Sequence, residues 1–203
     1  MTEGGSRTMT VSARYISARY NGVAILVHWL TVIAIIGLLI MGWTMTSLPP
    51  GSPDQFKLFQ LHKSVGITVL ALTLFRAAWR VAHRPPPLPA HMPVWEKAAA
   101  HLGHLGLYAL LLGMPLTGWA VVSTSKFNIP TVLYGLIPFP HMPVLADLEN
   151  KAPINDVVSE AHELAAWILV ALVVVHALAA LRHHFLAKDD VLLRMVPRFG
   201  RRA

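Results

Sequence analysis

The sequence contains no cysteine, and this absence removes several classes of site at once. It excludes a disulfide framework, iron–sulfur clusters held by thiolates, and the Cys-x-x-Cys-His motif that attaches haem covalently. Charged residues are also scarce, at 13% of the chain, whereas an average soluble domain carries about 25%. So low a charged fraction indicates a protein whose surface is mostly in contact with lipid.

Long apolar runs take the place of the missing charge: 55% of the residues are hydrophobic and the mean hydropathy is +0.53. Four runs cover residues 23–43, 64–82, 102–122 and 164–181. Each approaches the roughly 20 residues that a helix needs to cross about 30 Å of hydrocarbon. We therefore predict an all-α fold, a four-helix transmembrane bundle with up-down topology. Residues 123–158, which contain five prolines, are expected to form a long external loop that caps the bundle.

The basic residues are distributed unevenly along the chain. Thirteen of the seventeen Lys and Arg residues lie in the N-terminal tail, around the loop after the second span, and in the C-terminal tail. By the positive-inside rule we expect both termini to be cytoplasmic. The basic residues, which give the chain its net charge of +7, would then face anionic lipid headgroups. We therefore expect no nucleic-acid partner.

The same pattern divides the chain into three parts. Residues 1–19 are expected to be a flexible cytoplasmic arm, residues 20–186 the four-helix membrane domain, and residues 187–203 a basic cytoplasmic tail. The polar stretch before the first span lacks a small-residue cleavage motif, so we do not expect a removable signal peptide.

Four histidines lie inside or at the ends of the apolar runs: His28, His62, His162 and His176. Threading the helices up and down places His28 and His176 near the cytoplasmic side and the other two near the external side. Fourteen residues separate His162 from His176, which corresponds to about 21 Å along one helix and to nearly the same face. Because an imidazole in hydrocarbon is costly and is rarely left without a partner, we predict two axial histidine pairs. Each pair would hold a non-covalent b-type haem.

Other interpretations of these histidines stay open. A single histidine in a helix is more often hydrogen-bonded or interfacial than a ligand, and a zinc site is a further alternative, although each depth offers only two strong ligands. His101 and His104 also lie near the cytoplasmic end, where either could replace His28 or His176. We favour an interfacial or supporting role for both.

Two further residues are candidates for contacts with a cofactor. Arg76 lies fourteen residues after His62 and so shares its helix face within an apolar segment. A haem propionate would be a suitable partner for its guanidinium, although snorkelling to the headgroups is nearly as good an explanation. His183 lies at the cytoplasmic surface, where it is either part of a solvated helix end or a contact for a quinone or a propionate.

Several segments, taken in order, resemble the bacterial cytochrome b561 family of four-helix membrane cytochromes. The resemblance covers residues 20–198 and depends on the following segments: Ala24-Ile-Leu-Val-His28-Trp29, Leu61-His62-Lys63-Ser64-Val65-Gly66, Phe75-Arg76, Ala100-His101-Leu-Gly-His104, Pro115-Leu-Thr-Gly118, Glu160-Ala-His162-Glu163, Val175-His176-Ala177-Leu178-Ala179-Ala180 and Leu192-Leu193-Arg194-Met195. The added N-terminal arm departs from the shortest family members.

The resemblance implies that His28 with His176, and His62 with His162, are the axial ligands of two b haems. It also implies a link to the quinone pool, with ubiquinone as acceptor and superoxide as the external donor in at least some members. A cytochrome b subunit of a multi-subunit dehydrogenase or hydrogenase, receiving electrons from a redox protein, is the alternative. A histidine-gated transporter or metal carrier is a third, non-redox hypothesis.

Overall fold

Four long helices dominate the computed structural model, which describes residues 19–197. They are α1 (Gly22–Ser47), α2 (Pro53–Ala82), α3 (Val94–Thr124) and, after an irregular cap, α5 (Ala152–Arg182). Each is long and apolar enough to cross a membrane. Lengths of 26 to 31 residues give axial spans of about 39 to 46 Å, more than the roughly 30 Å of hydrocarbon. The predicted four-helix membrane fold is confirmed.

Polar side chains cap the N-termini of the first two helices, and one of them also links the two helices. The carboxamide of Asn21 accepts a hydrogen bond from the N–H of Ala24 at 2.8 Å, and the indole of Trp79 donates to the same oxygen at 3.1 Å. At the other end, Ser52 accepts from the N–H of Gln55 at 3.3 Å. These N-caps satisfy backbone donors that a helix end leaves free, so the first helix starts where the second one ends.

The helices pack in chain order, with α1 against α2, α2 against α3, and α3 against α5. By contrast, α5 makes at most marginal backbone contact with α1 or α2. The outer surface is apolar: Leu26, Ile33 and Ile40 on α1 are 59%, 66% and 61% exposed. Such exposure would cause aggregation in water and is ordinary where the surrounding solvent is lipid.

The middle of the bundle is filled by one buried residue from each long helix. Ile35, Val69, Leu111 and Leu169 form a single cluster, and each is at most 9% exposed. We call these four residues the middle layer. Their packing closes the bundle at its centre and excludes water from it.

The loop after α3 contains structure that the sequence analysis did not predict. Strands β1 (Thr131–Leu133) and β2 (Ile137–Phe139) form an antiparallel hairpin, and a single helical turn, α4 (Pro143–Ala146), follows. The second half of this loop, residues 145–158, completes α4, connects it to α5 and forms the first turns of α5. Helix α5 begins earlier than its apolar run because hydropathy detects only the lipid-facing length, while Pro153 near its start favours helix initiation.

Side-chain hydrogen bonds fix this cap on the ends of α2 and α3. The carboxamide of Gln60 donates to the carbonyl of Pro130 at 2.9 Å, and the hydroxyl of Ser64 accepts from the N–H of Tyr134 at 2.9 Å. On α3, the indole of Trp119 donates to the carbonyl of Pro140 at 2.9 Å. We call this end of the bundle, with loops 48–52 and 125–151, the cap face.

The opposite end, which we call the tail face, consists of residues 19–21, 83–93 and 183–197. Here the chain after α5 returns across the start of α1. The indole of Trp29 donates to the carbonyl of Met195 at 2.8 Å, and Arg19 donates to the carbonyl of Val196. Residues 1–18 of the predicted N-terminal arm and residues 198–203 of the predicted tail lie outside the described residues.

Candidate functional site: two imidazole layers

The histidines lie at a constant distance along the chain from the middle layer. Seven residues separate Ile35 from His28 on α1, Val69 from His62 on α2, and Leu111 from His104 on α3. On α5, Leu169 lies seven residues from both His162 and His176. Seven residues are nearly two helical turns, about 10.5 Å along the axis. The polar residues therefore form one layer on each side of the apolar centre.

The cap-side layer consists of His62, His162, Gly42 and Gly118. The ring centres of the two histidines are 6.5 Å apart, with an angle of 72° between the ring planes. A Cβ added to Gly118 would lie 3.1 Å from Cε1 of His162, and one added to Gly42 would lie 3.7 Å from Cε1 of His62. Each imidazole thus packs where a neighbouring helix has no side chain.

The tail-side layer consists of His28, His104, His176 and Arg76. The rings of His104 and His176 are 5.6 Å apart at an angle of 65°. His28 is half-buried and lies within electrostatic range of the other three residues. The structure therefore brings together the predicted cap-side pair, whereas on the tail side it places a third imidazole beside the predicted pair.

Room for a planar macrocycle differs between the possible tail-side pairs. His104 and His176 belong to α3 and α5, which pack closely along their length. His28 and His176 belong to α1 and α5, whose backbones stay apart, as do those of α2 and α5 around the cap-side pair. A porphyrin held between two axial ligands needs helices that are not in direct contact. This geometry favours His28 over His104 as the partner of His176.

Arg76 also lines a cavity of about 300 Å³ that opens on the tail face. Its guanidinium lies 5.6 Å from the ring centre of Tyr108, and within residues 19–197 it forms no ion pair with a carboxylate. The rest of the lining contains no acid and is mostly apolar or aromatic, apart from Asn21, His83 and three more arginines: Arg19, Arg80 and Arg84. The cavity therefore suits an anionic group on an otherwise apolar molecule.

His183 does not line that cavity and belongs instead to a cluster of polar side chains. Its Nδ1 lies 2.6 Å from a carboxylate oxygen of Asp189, and its Nε2 lies 4.0 Å from Glu96, which also pairs with Arg182 at 3.1 Å. Burial alone would raise the pKa of Asp189, but hydrogen bonds from the N–H of Val191 and from His183 hold that pKa below its usual value.

The donor set fits haem better than a metal ion bound by protein alone. In the described part of the chain, no three His, Asp or Glu side chains come close enough to hold an ion. Haem needs only two protein ligands, because the porphyrin supplies the other four. Two imidazoles on one iron, with metal–nitrogen distances of about 2.0 Å and roughly 1.1 Å from nitrogen to ring centre, would have ring centres about 6.2 Å apart. The cap-side separation of 6.5 Å is close to this value.

Unsatisfied polar atoms lead to the same conclusion. Nδ1 of His28 and Nδ1 of His62 are buried without a hydrogen-bond partner among residues 19–197. A buried polar atom without a partner is costly and usually marks a functional site. One of these two histidines lies in each layer, so both layers contain an imidazole that the protein alone does not satisfy.

Sequence analysis missed three contributors to the cap-side layer. Gly42 and Gly118 pack against imidazoles, and the seven-residue step from the middle layer could have found them. Thr117 contacts His162, with 2.9 Å between its Oγ1 and Nδ1 of the ring. His104, for which an interfacial or supporting role was expected, packs on the ring of His176. The side chain of His101 is exposed, as expected for an interfacial residue. Its Nδ1 lies 2.6 Å from the carbonyl oxygen of Lys97.

Comparison with known proteins gives concordant matches. Residues 19–198 match the sequence profile described as prokaryotic cytochrome b561. Cytochrome b561 homolog 2 of Escherichia coli K12 is 36% identical over 179 residues, covering 88% of this chain and 91% of that protein. Cytochrome b561 homolog 1 of the same strain is 32% identical over 184 residues, covering 89% and 98%. A protein of Yersinia pestis named probable superoxide oxidase CybB is 30% identical over 182 residues, covering 89% and 97%.

Proposed function

Because the chain belongs to the prokaryotic cytochrome b561 family, we propose that it is a di-haem b-type cytochrome passing electrons from superoxide at the cap face to ubiquinone. Membership of this family means membrane electron transfer with b-type haem; the number of haems, the donor and the acceptor are our proposal. The observation that carries it is the pair of imidazole layers, one on each side of the middle layer.

Axial ligands are assigned by helix and depth. His62 and His162 would hold the cap-side haem, and His28 and His176 the tail-side haem, with Arg76 facing a propionate. When bound, haem iron supplies one-electron redox chemistry, and two imidazoles per iron leave no open position for oxygen. The middle layer would exclude water between the two sites and keep the surrounding dielectric low.

The proposed donor is superoxide, a small anion that a cation near the cap-side pair would attract. Lys63 follows His62 in the chain, is half-buried, and lies 3.4 Å from the carbonyl of Pro130. Lys126 and Lys151 lie further out on the same face. Six acids also lie there, so attraction must come from the local arrangement of lysines rather than from net charge. A relative named probable superoxide oxidase supports this choice of donor.

A rapid-mixing experiment tests the donor. The purified holoprotein, mixed with a superoxide source and a soluble ubiquinone, should show haem reduction and quinone reduction faster than the uncatalysed reaction. Lys63→Gln should slow the reaction several-fold, and the slowing should diminish at high salt. Lys57→Gln is the matched control, because Lys57 lies on the same face but is already paired with Asp54 at 3.2 Å. Haem reduction no faster than the uncatalysed rate would exclude superoxide as the donor.

The proposed acceptor, ubiquinone, is placed at the tail face near His183. Basic residues collect there, so the positive-inside rule makes this face cytoplasmic, in a bacterial inner membrane, with both termini on that side. His183→Ala should then raise the KM for a soluble ubiquinone. His101→Ala, which removes an exposed imidazole from the same face, is the control. An unchanged KM in His183→Ala would move the quinone elsewhere, and the cavity beside Arg76 would be the next place to examine.

One observation favours a second candidate, the cytochrome b subunit of a larger respiratory dehydrogenase or hydrogenase. The cap exposes large apolar side chains outside the spans, including Leu136 at 80%, Ile137 at 60% and Val144 at 79%. A redox partner could cover them. Gentle solubilisation followed by purification should then recover a stoichiometric dehydrogenase, whereas full superoxide oxidation by the chain alone would argue against this candidate.

A further inference from the structure

The hydroxyl of Thr117 lies within hydrogen-bonding distance of two groups. Its Oγ1 is 2.9 Å from the backbone carbonyl oxygen of Met114 and 2.9 Å from Nδ1 of His162. The contact joins α3 to α5 in the cap-side layer. Helix α3 contributes no imidazole to this layer. It contributes Thr117 and the adjacent Gly118, which both lie against the ring of His162.

The donors and acceptors in this arrangement can be assigned. A carbonyl oxygen only accepts, and a threonine hydroxyl has a single hydrogen to donate. With that hydrogen directed at Met114, the oxygen of Thr117 is an acceptor towards His162. Nδ1 of His162 must therefore carry the hydrogen. In a neutral imidazole, the lone pair then lies on Nε2, the nitrogen available to a metal.

We propose that Thr117 is the positioning residue that fixes the tautomer and orientation of His162 and makes it the stronger ligand of the cap-side haem. The inference depends on the proposed cap-side haem. A hydrogen bond accepted from the far nitrogen of a metal-bound imidazole fixes the ring and increases its basicity. Gly118 leaves room for this orientation, since a Cβ there would lie 3.1 Å from the ring.

The two ligands of one layer then differ. Nδ1 of His162 is held by Thr117, whereas Nδ1 of His62 has no hydrogen-bond partner among the described residues. Thr117 therefore orients the ring of His162 through Nδ1, and no described residue orients His62 through the same atom. A more basic His162 stabilises the oxidised iron and lowers the midpoint potential of the cap-side haem.

The test compares midpoint potentials rather than activity. In the purified holoprotein, Thr117→Val should raise one of the two haem potentials, by up to a tenfold change in the reduction equilibrium, or 59 mV for a one-electron couple. The affected haem should be the one that His162→Ala removes. Thr117→Ser keeps the hydroxyl and should restore the original potential. Thr73→Val is the matched control, because the buried hydroxyl of Thr73 donates to the carbonyl of Val69 and forms no hydrogen bond with a histidine among residues 19–197.

Unchanged potentials in Thr117→Val, or an equal shift in Thr117→Ser or Thr73→Val, would overturn the inference. Thr117→Ala removes the same hydroxyl without a branched side chain and replaces the valine variant if that protein does not accumulate. Failure of the proposed function gives a different result, because His162→Ala would then leave the haem content per chain unchanged.

Discussion

The cap-side and tail-side layers lie at equal distances from the middle layer, yet they are built from different chemistry. The cap-side layer contains two imidazoles, two glycines and no charged residue, and a threonine hydroxyl holds one ring. The tail-side layer contains three imidazoles and a guanidinium without a carboxylate partner in the described chain. One layer is determined by shape and the other by charge.

Under the proposed function, this difference would give the haems of two similar sites different midpoint potentials. A nearby cation favours the reduced form of an iron site, whereas a more basic ligand favours the oxidised form. Under the proposed function, Arg76 raises the potential of the tail-side haem and Thr117 lowers that of the cap-side haem. Both effects favour electron movement from the cap face to the tail face.

The largest expected effect comes from removing a ligand. His62→Ala and His162→Ala should each reduce the haem content from two per chain to one, and His28→Ala and His176→Ala should each remove the other haem. His104→Ala is the control in the tail-side layer and should retain both. Haem per chain is measured by the pyridine haemochrome assay. Loss of a haem in His104→Ala, with both retained in His28→Ala, would make His104 the partner of His176.

Removing the charge of the tail-side layer should have the next largest effect. Arg76→Gln should lower one haem potential by the equivalent of about 1–2 kcal/mol, the interaction of a unit charge at roughly 10 Å in an effective dielectric of about 20. Arg80→Gln, one turn nearer the surface, should cause a smaller shift. Redox titration of both variants measures this. A shift in the haem that His162→Ala removes would contradict the proposed asymmetry.

The glycines test whether shape determines the cap-side layer. Gly118→Ala places a Cβ 3.1 Å from Cε1 of His162, whereas Gly42→Ala places one 3.7 Å from Cε1 of His62, an ordinary contact. Overpacking of this kind costs about 1–3 kcal/mol. We expect Gly118→Ala to weaken retention of the cap-side haem on heating and Gly42→Ala to leave it nearly unchanged. Equal haem loss from both variants would show that this layer tolerates no side chain at either position.

The smallest effect concerns the tail face and its pH dependence. Because the pKa of Asp189 is held below its usual value, its carboxylate stabilises the fold above an unfolded pKa of 3.8. That contribution is lost as the pH falls through the lower folded-state pKa. The protection of the amides of residues 188–197 against hydrogen exchange, measured relative to the intrinsic exchange rate at each pH, should therefore fall in acid. Asp189→Asn should show low protection at neutral pH as well, and full protection in that variant would rule out this role for Asp189.

Hydropathy alone predicted the four spans, because apolar length is a direct requirement of the bilayer. Counting residues from span ends also predicted the depths of His28, His62, His162 and His176. Depth along a helix depends on sequence spacing, which can be counted directly from the sequence. The structure places His62 opposite His162, as that spacing indicated.

Rotation of a helix about its own axis could not be predicted in the same way. Whether His104 faces lipid or His176 depends on how α3 packs against both of its neighbours, and α3 is apolar on more than one side. The hairpin from Thr131 to Phe139 was missed because its strands have three residues each, and because Pro130 precedes the first strand and Pro138 lies within the second. The contact between Thr117 and His162 joins residues 45 apart in the chain, so no local pattern reveals it.

Because His162 and His176 each lie seven residues from Leu169, the length of α5 sets the distance between the two layers. Inserting one residue between His162 and His176 would turn one imidazole about 100° away from the other and lengthen their separation by about 1.5 Å. The same insertion in the cap loop would leave both rings where they are. We expect natural length variation among such chains to accumulate in that loop and to be purged from the fourteen-residue interval.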